Sequence, residues 1–259
     1  MEDIKKKTSM FFSDEFRQLT KIFLQKTTYT ILSKVSGGKE KALLWSYGQS
    51  ELSPFILLQG HLKGSYPLPN KNNPEFIEWH DPEVRGIIPL DNFKIQKDLW
   101  RKLKKEKLKA ESERFEIRIN TNFNAAIRGC AAPRGGKTKT WITPEYIEVA
   151  TELHRMGHVH SIETYINNNL VGGVIGIAIN GFFDSLSLFH TVDNASKVAY
   201  YYLLVKLRED GFKLIASGPN PWFSQYGMVY VEKTAFRKEL INAITAPVSF
   251  SNRVPVIDF

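Results

Sequence analysis

With 259 residues, 42% of them hydrophobic and 24% charged, the chain is long enough to bury a substantial core and too ordinary in composition for a disordered or fibrous protein. No apolar run approaches the roughly 18 residues of a membrane span, and Met1 to Thr8 carries charge with no apolar stretch and cleavage site behind it. A cytoplasmic protein with no membrane partner is expected. The single cysteine, Cys130, excludes an internal disulfide and a cysteine-based zinc cage and suits a reducing compartment.

No internal repeat or long low-complexity stretch is present. Turn-forming residues crowd positions 66 to 92 (Pro67, Pro69, Asn70, Asn72, Asn73, Pro74, Pro82, Pro89), which reads as an irregular connection. A small domain over 1–92 and a larger one over 93–259 are therefore expected. The formal net charge of +8 concentrates just beyond that boundary. Lys94, Lys97, Arg101, Lys102, Lys104, Lys105, Lys107 and Lys109 stand against Asp98 and Glu106, eight cations and two carboxylates, for a local +6. Ile95, Leu99, Leu103 and Leu108 give this segment a partial inner stripe, which predicts a helix. Its outer face is a solvated surface or a phosphate-binding edge; the second needs only clustered cations and no base contacts.

Phe115 to Asn120 alternates apolar and polar residues, a half-buried strand, and a helix is expected over 122–129. Thr143 and Pro144 start a further helix that runs to about Met156 before Gly157. Three strands follow, 158–166, 170–180 and 183–190, joined by Asn167-Asn168-Asn169 and Asn180-Gly181, turns that suit antiparallel hairpins. Asp193 or Asn194 caps a helix from Ala195 to Asp210, ended by Gly211, and 213–217 is a strand. This order predicts an α/β fold with a mainly antiparallel sheet and resembles the core of the GNAT-type acyltransferases, in which the helix after the meander turns its anion-attracting N-terminus toward a donor's phosphates. The acetyl-CoA version has a glycine-rich turn there. Here the residues are Val192-Asp193-Asn194-Ala195-Ser196-Lys197, which disfavours acetyl-CoA as donor.

Several motifs arrive in a fixed order between Gly129 and Lys197: Gly129-Cys130-Ala131, Arg134, Thr140-Trp141-Ile142, Leu153-His154 with Gly157-His158 and His160-Ser161-Ile162-Glu163, Leu170-Val171-Gly172-Gly173 with Gly176, Ser187 with Phe189, and Asn194-Ala195-Ser196-Lys197. Together they resemble the leucyl/phenylalanyl-tRNA protein transferases, which move an amino acid from tRNA to the N-terminal amine of a protein. The likeness is strong over 115–215; Gly64, Tyr66, Pro67 and the stretch from Trp79 to Arg85 extend it thinly toward the N-terminus. It implies an aminoacyltransferase acting on an apolar amino acid such as Leu, Phe or Met, without a cofactor, and a monomer. With tRNA as donor, the local +6 makes Lys94, Lys97, Arg101, Lys102, Lys104 and Lys105 the expected tRNA-binding residues. Substrate-binding positions implied by the likeness are Tyr66, Trp141, Glu163, Gly172, Gly173, Ser187, Phe189, Asn194, Ser196, Lys197 and Asn220. Trp141 would be the flat surface beside the aminoacyl-adenosine, where base stacking is worth about 1–3 kcal/mol; a core tryptophan is the alternative. The two glycines let a backbone come close to a ligand or to a neighbouring strand. His160 reads as a structural histidine.

Several positions depart from the family, Gln225-Tyr226-Gly227-Met228 in place of its Ser-Leu-Gly-Ala among them. Leu68 stands for the usual tryptophan and Leu186 for the acidic residue that would touch the terminal nucleoside. Ala216 and Gly218 replace the Asp and Gln that would handle the acceptor's proton, leaving the catalytic residues unassigned and His190 as a weak substitute base. Transfer survives such losses chemically, because an aminoacyl ester is activated and an α-amine of pKa about 7.7–8.0 is appreciably neutral at pH 7. A slower enzyme, an altered acceptor and a tRNA-binding pseudoenzyme all fit, as does, less well, an acyl-CoA N-acyltransferase. No metal is expected, because Gly157 breaks the helix on which His154 and His158 would need to sit. Serine-hydrolase elbows, P-loops and Gly-x-Gly-x-x-Gly loops are absent.

Overall fold

The computed structural model describes residues 52–69, 77–133 and 140–257; Arg134 of the motif series lies outside them. These residues fall within one compact unit, Glu51–Phe259. In chain order the elements are α1 (Pro54–Leu62), β1 (Tyr66–Pro69), β2 (Ile77–His80), β3 (Val84–Ile88), α2 (Lys97–Leu108), β4 (Glu116–Ile119), α3 (Phe123–Ala131), α4 (Pro144–Arg155), β5 (Val159–Ile166), β6 (Asn169–Ile179), β7 (Phe182–His190), α5 (Ala195–Glu209), β8 (Leu214–Ser217), β9 (Val229–Glu232) and α6 (Lys233–Thr245).

Seven strands make one sheet in the order β4-β5-β6-β7-β8-β3-β9, antiparallel throughout except for the β7–β8 pair. The α/β class, the meander β5-β6-β7 and the GNAT-like succession of helix, three strands, helix and strand hold as expected. Asn167 and Asn168 adopt φ of 49° and 62° in the β5–β6 turn, and Asn180 has φ of 50° in the next. These are left-handed conformations that asparagine tolerates better than most side chains. Thr143 caps α4 by accepting from the Tyr146 amide, and Asn122 caps α3 by accepting from Ala125.

Residues 66–69 and 77–92 are more ordered than the proline and asparagine content of this region suggests. β1 and β2 form a separate ribbon, while β3 is inserted between β8 and β9, on the far side of the boundary expected near 92. A five-residue strand, Val-Arg-Gly-Ile-Ile, carries too little periodicity to be read without its distant partners.

The core lies between the sheet and α5, which is buried nearly all round through Tyr200, Leu203, Leu204 and Leu207. Leu99 and Leu103 of α2 enter this core, but Leu108 is 82% exposed. Nine residues after Leu99 is half a turn out of phase with it, which removes Leu108 from the inner stripe. Lys206 of α5 is buried: its ammonium donates to Asp210 Oδ2 (2.9 Å), Ser251 Oγ (2.8 Å) and the Arg253 carbonyl (3.1 Å) and lies over the Phe250 ring.

Candidate active site

The site begins where two strands part. β7 and β8 pair in parallel only from Phe182↔Leu214 to Asp184↔Ala216. Beyond that point a cleft of about 180 Å³ opens, lined by Tyr66, Pro67, Leu68, Trp141, Asp184, Ser185, Leu186 and Gly218. The β6–β7 register skips a residue here, since Gly176 pairs with Ser185 and Ile175 with Ser187, so Leu186 is the extra residue of a β-bulge. Bulges re-aim side chains in this way beside functional sites. Trp141 sets its ring edge-on to Tyr146, with centroids 4.9 Å apart and planes at 72°, and remains half-buried. Drug-sized ligands occupy roughly 300–1,000 Å³, so this space takes one amino-acid-sized group rather than a whole nucleoside.

The floor is charged. Asp184 is 3% exposed. Its Oδ1 accepts from Arg85 Nη2 (2.8 Å) and its Oδ2 bonds His61 Nδ1 (2.8 Å). Arg85 also donates to the Gly64 carbonyl (2.9 Å), and its guanidinium lies 5.2 Å from the Tyr66 ring centroid and 4.7 Å from that of Phe236. Burial pushes the Asp184 carboxyl upward, but the Arg85 charge and the His61 and Arg85 hydrogen bonds outweigh it and hold the group below the ordinary carboxylate range. Asp184 is an anion at neutral pH. Burial, reinforced by this anion, raises the nearby Tyr146 phenol far above its usual value, so it stays protonated. Sequence reasoning missed Asp184, His61 and Arg85 as a unit. The available signal was one acidic residue in the apolar run Phe182-Phe183-Asp184, since a buried carboxylate requires partners.

Of the residues singled out by sequence, Tyr66 and Trp141 meet at the cleft, together with the departures Leu68, Leu186 and Gly218; Ala216 is the strand neighbour of Asp184. The other positions lie outside its lining. Glu163 is fully buried and structural: both oxygens accept the Asn122 amide (2.9 and 3.0 Å) at the start of α3, Oε1 accepts Ser161 Oγ (2.7 Å) and Oε2 accepts the Tyr165 hydroxyl (3.0 Å). A Cβ on Gly172 would meet the Ala195 Cβ at 2.6 Å, and one on Gly173 would meet the Ile162 carbonyl oxygen at 2.8 Å. Both glycines therefore serve close approach by protein neighbours. Phe189 fills the space over Gly129, Ser187 is buried on β7, and Asn220 caps the 3-10 turn Pro221–Tyr226 through the Trp222 amide. Asn194 has φ of 68° and no side-chain cap bond to the α5 backbone; its amide donates to Glu106 Oε1 (3.5 Å) and its Oδ1 accepts from Lys197 Nζ (3.5 Å). His190 is exposed, with Nδ1 3.3 Å from Ser196 Oγ. His160 stacks on Phe250 and burial pushes its imidazole down to about 3, so it is neutral and structural.

The basic segment is exposed at Lys94, Lys97, Arg101, Lys102, Lys104 and Lys105, and Arg101 pairs with Asp98. It runs beside the start of α5, where burial and then the Lys102 charge depress the half-buried Lys197 ammonium. Lys102 and Lys197 thus share one positive field. Among the described residues no group of three or more His, Cys, Asp or Glu side chains could hold a metal, and no helix is long and apolar enough to cross a membrane.

A mainly antiparallel sheet whose meander leads through α5 into a parallel strand, with a cleft where the two strands diverge, defines an acyltransferase-type α/β protein. Residues 87–241 match the family described as leucyl/phenylalanyl-tRNA protein transferase. The leucyl/phenylalanyl-tRNA–protein transferase of Nitrobacter winogradskyi is 36% identical over 64% of this chain and 71% of its own length. That of Rhodopseudomonas palustris strain TIE-1 is 31% identical over 80% and 89%. Among solved structures, L-PGS from Bacillus licheniformis aligns with a TM-score of 0.40 at 11% identity, over 62% of this chain and 65% of that one. The chain belongs to the leucyl/phenylalanyl-tRNA protein transferase family and is an aminoacyltransferase.

Proposed function

We propose that the protein transfers an apolar amino acid from aminoacyl-tRNA to an amine acceptor, by family the N-terminus of a protein, with the aminoacyl end of the donor in the β7–β8 cleft. One observation carries the reading: Tyr66 and Trp141, which the family likeness marks as substrate-binding, line one cleft with Leu68, Leu186 and Gly218, which stand where the family has other residues, although the five come from four separate parts of the chain. Its walls are apolar, which suits a Leu-, Phe- or Met-like side chain. The exposed cations of α2 and the adjoining Lys197 offer a path for the phosphates of the acceptor arm.

The chemistry requires positioning more than a strong base. The amine nitrogen attacks the ester carbonyl, a C–N bond forms, the C–O bond to the ribose breaks, and the proton lost by nitrogen ends on the departing ribose oxygen. Holding both partners in attack geometry supplies roughly 7–11 kcal/mol of the barrier. The absence of a carboxylate at Ala216 and an amide at Gly218 favours a second reading, a tRNA-binding protein with impaired transfer, since a general base is typically worth 10²–10⁴-fold. The test supplies tRNA charged with labelled leucine, phenylalanine or methionine and peptides with basic N-terminal residues, and seeks labelled amide by mass spectrometry. Product above uncatalysed aminolysis supports transfer; tight tRNA binding without product supports the second reading; absence of tRNA binding refutes both.

A further inference from the structure

The position on β8 that lacks a carboxylate, Ala216, has an acidic neighbour on β7. Asp184 is the register partner of Ala216 across the parallel β7–β8 pair, so the two side chains leave the sheet on the same face, about 4.8 Å apart. Asp184 lines the cleft together with Gly218. Two of its lone-pair sites are used by Arg85 and His61, and a carboxylate offers about four.

A second observation marks the same place. Seven buried side-chain polar atoms lack a hydrogen-bond partner among the described residues, and five of them belong to residues linked to Asp184 by contact, by chain or by charge. His61 Nε2 and Arg85 Nε belong to its two partners, and Ser185 Oγ is on the next residue. Tyr146 and Tyr200 carry the other two, and both phenols feel its charge. The Tyr200 hydroxyl and Ser185 Oγ also influence one another without meeting hydrogen-bond geometry. Native interiors leave few such atoms unpaired, and unpaired atoms on both partners of a carboxylate that lines the cleft mark a place for a polar group that arrives from outside.

Resting on the transfer reading above, we infer that Asp184 binds the acceptor amine: its carboxylate accepts an N–H of the attacking nitrogen and holds the lone pair toward the ester carbonyl. Arg85 behind it keeps the carboxylate ionised, so Asp184 does not need to take the proton. As nitrogen attacks it becomes positive, and the hydrogen bond to the anion strengthens. The interaction is then larger in the transition state than in the ground state, which is the condition for raising kcat. The proton passes to the ribose oxygen as the C–O bond breaks, and the acceptor leaves acylated. Asp184 thus takes over from a neighbouring strand the role vacated at Ala216.

The test is kinetic, on the full chain with charged tRNA and a peptide acceptor, once wild type has been seen to form amide. Asp184→Asn should lower kcat/KM for the acceptor by about 100-fold, the scale of removing one preorganised charge-stabilising group, while the Kd for the charged tRNA stays within about twofold. Asp184→Asn leaves Arg85 unpaired and can fail to fold, so Arg85→Met with Asp184→Asn removes the pair together; it should fold and be equally slow. The combination Asp184→Asn with Ala216→Asp returns a carboxylate to β8 and should recover at least about tenfold, which a merely structural role for Asp184 would not produce. Folded variants without Asp184 that keep wild-type kcat/KM overturn the inference and leave the transfer reading intact. Wild type that forms no amide with any donor and acceptor overturns the transfer reading, and this inference with it.

Discussion

Replacing Glu163 with Gln separates an architectural carboxylate from a substrate-binding one. The change keeps shape but removes the charge and turns an acceptor-only group into one that also presents N–H to its neighbours. In the structure the carboxylate receives the Asn122 amide on both oxygens and the hydroxyls of Ser161 and Tyr165, with no water-exposed surface. Hydrogen bonds to a charged group contribute about 1.5–3 kcal/mol each, and the anion at the start of α3 adds up to about 1 kcal/mol through the helix dipole. With one oxygen still able to accept, the net loss should be about 2–4 kcal/mol, or roughly 4–15 °C in Tm for a unit of this size. Urea and thermal unfolding followed by circular dichroism measure it. The affinity for charged tRNA should be unchanged in the folded variant at low temperature. A stability change below about 0.5 kcal/mol together with weakened tRNA binding would refute this assignment and restore Glu163 to the donor site.

Replacing Lys97, Arg101, Lys104 and Lys105 together with Ala should weaken tRNA binding and flatten its salt dependence, by about 0.9 in log-log slope for each lost duplex-phosphate contact; an unchanged slope counts against the α2 surface. Leu103→Ala should cost about 2–5 kcal/mol in urea unfolding, whereas Leu108→Ser, at 82% exposure, should stay within about 0.5 kcal/mol. His160 has a folded pKa of about 3 against an ordinary 6.5, so the unfolded chain binds the extra proton and stability is lost as pH falls from 6.5 toward 3. His160→Gln should reduce the slope of stability against pH between 4 and 6 by about 1.4 kcal/mol per unit; an unaltered slope refutes a neutral buried His160.

Elements with strong local signals were legible in the sequence: the α4 start at Thr143-Pro144, the asparagine turns of the meander, and α5 closed by Gly211. Those defined by distant pairing were not, as β3, β9 and the β1–β2 ribbon show. The same division runs through the site. Trp141 and Tyr66, singled out by sequence, line the cleft, but the sequence alone cannot reveal that β7 and β8 part at Asp184↔Ala216, nor that His61 and Arg85 arrive there from 123 and 99 residues away. Glu163, Gly172 and Gly173 show the converse. Their types suit ligand contact, yet their surroundings are satisfied by α3, α5 and β5.

The central claim is that the aminoacyl end of charged tRNA enters the β7–β8 cleft. A crystal structure with puromycin, an aminoacyl-adenosine mimic, tests it most directly. The mimic's aromatic amino-acid side chain should lie among Tyr66, Trp141 and Leu186, with its carbonyl carbon facing Asp184. Puromycin bound elsewhere on the protein, with this cleft unchanged, would contradict the account.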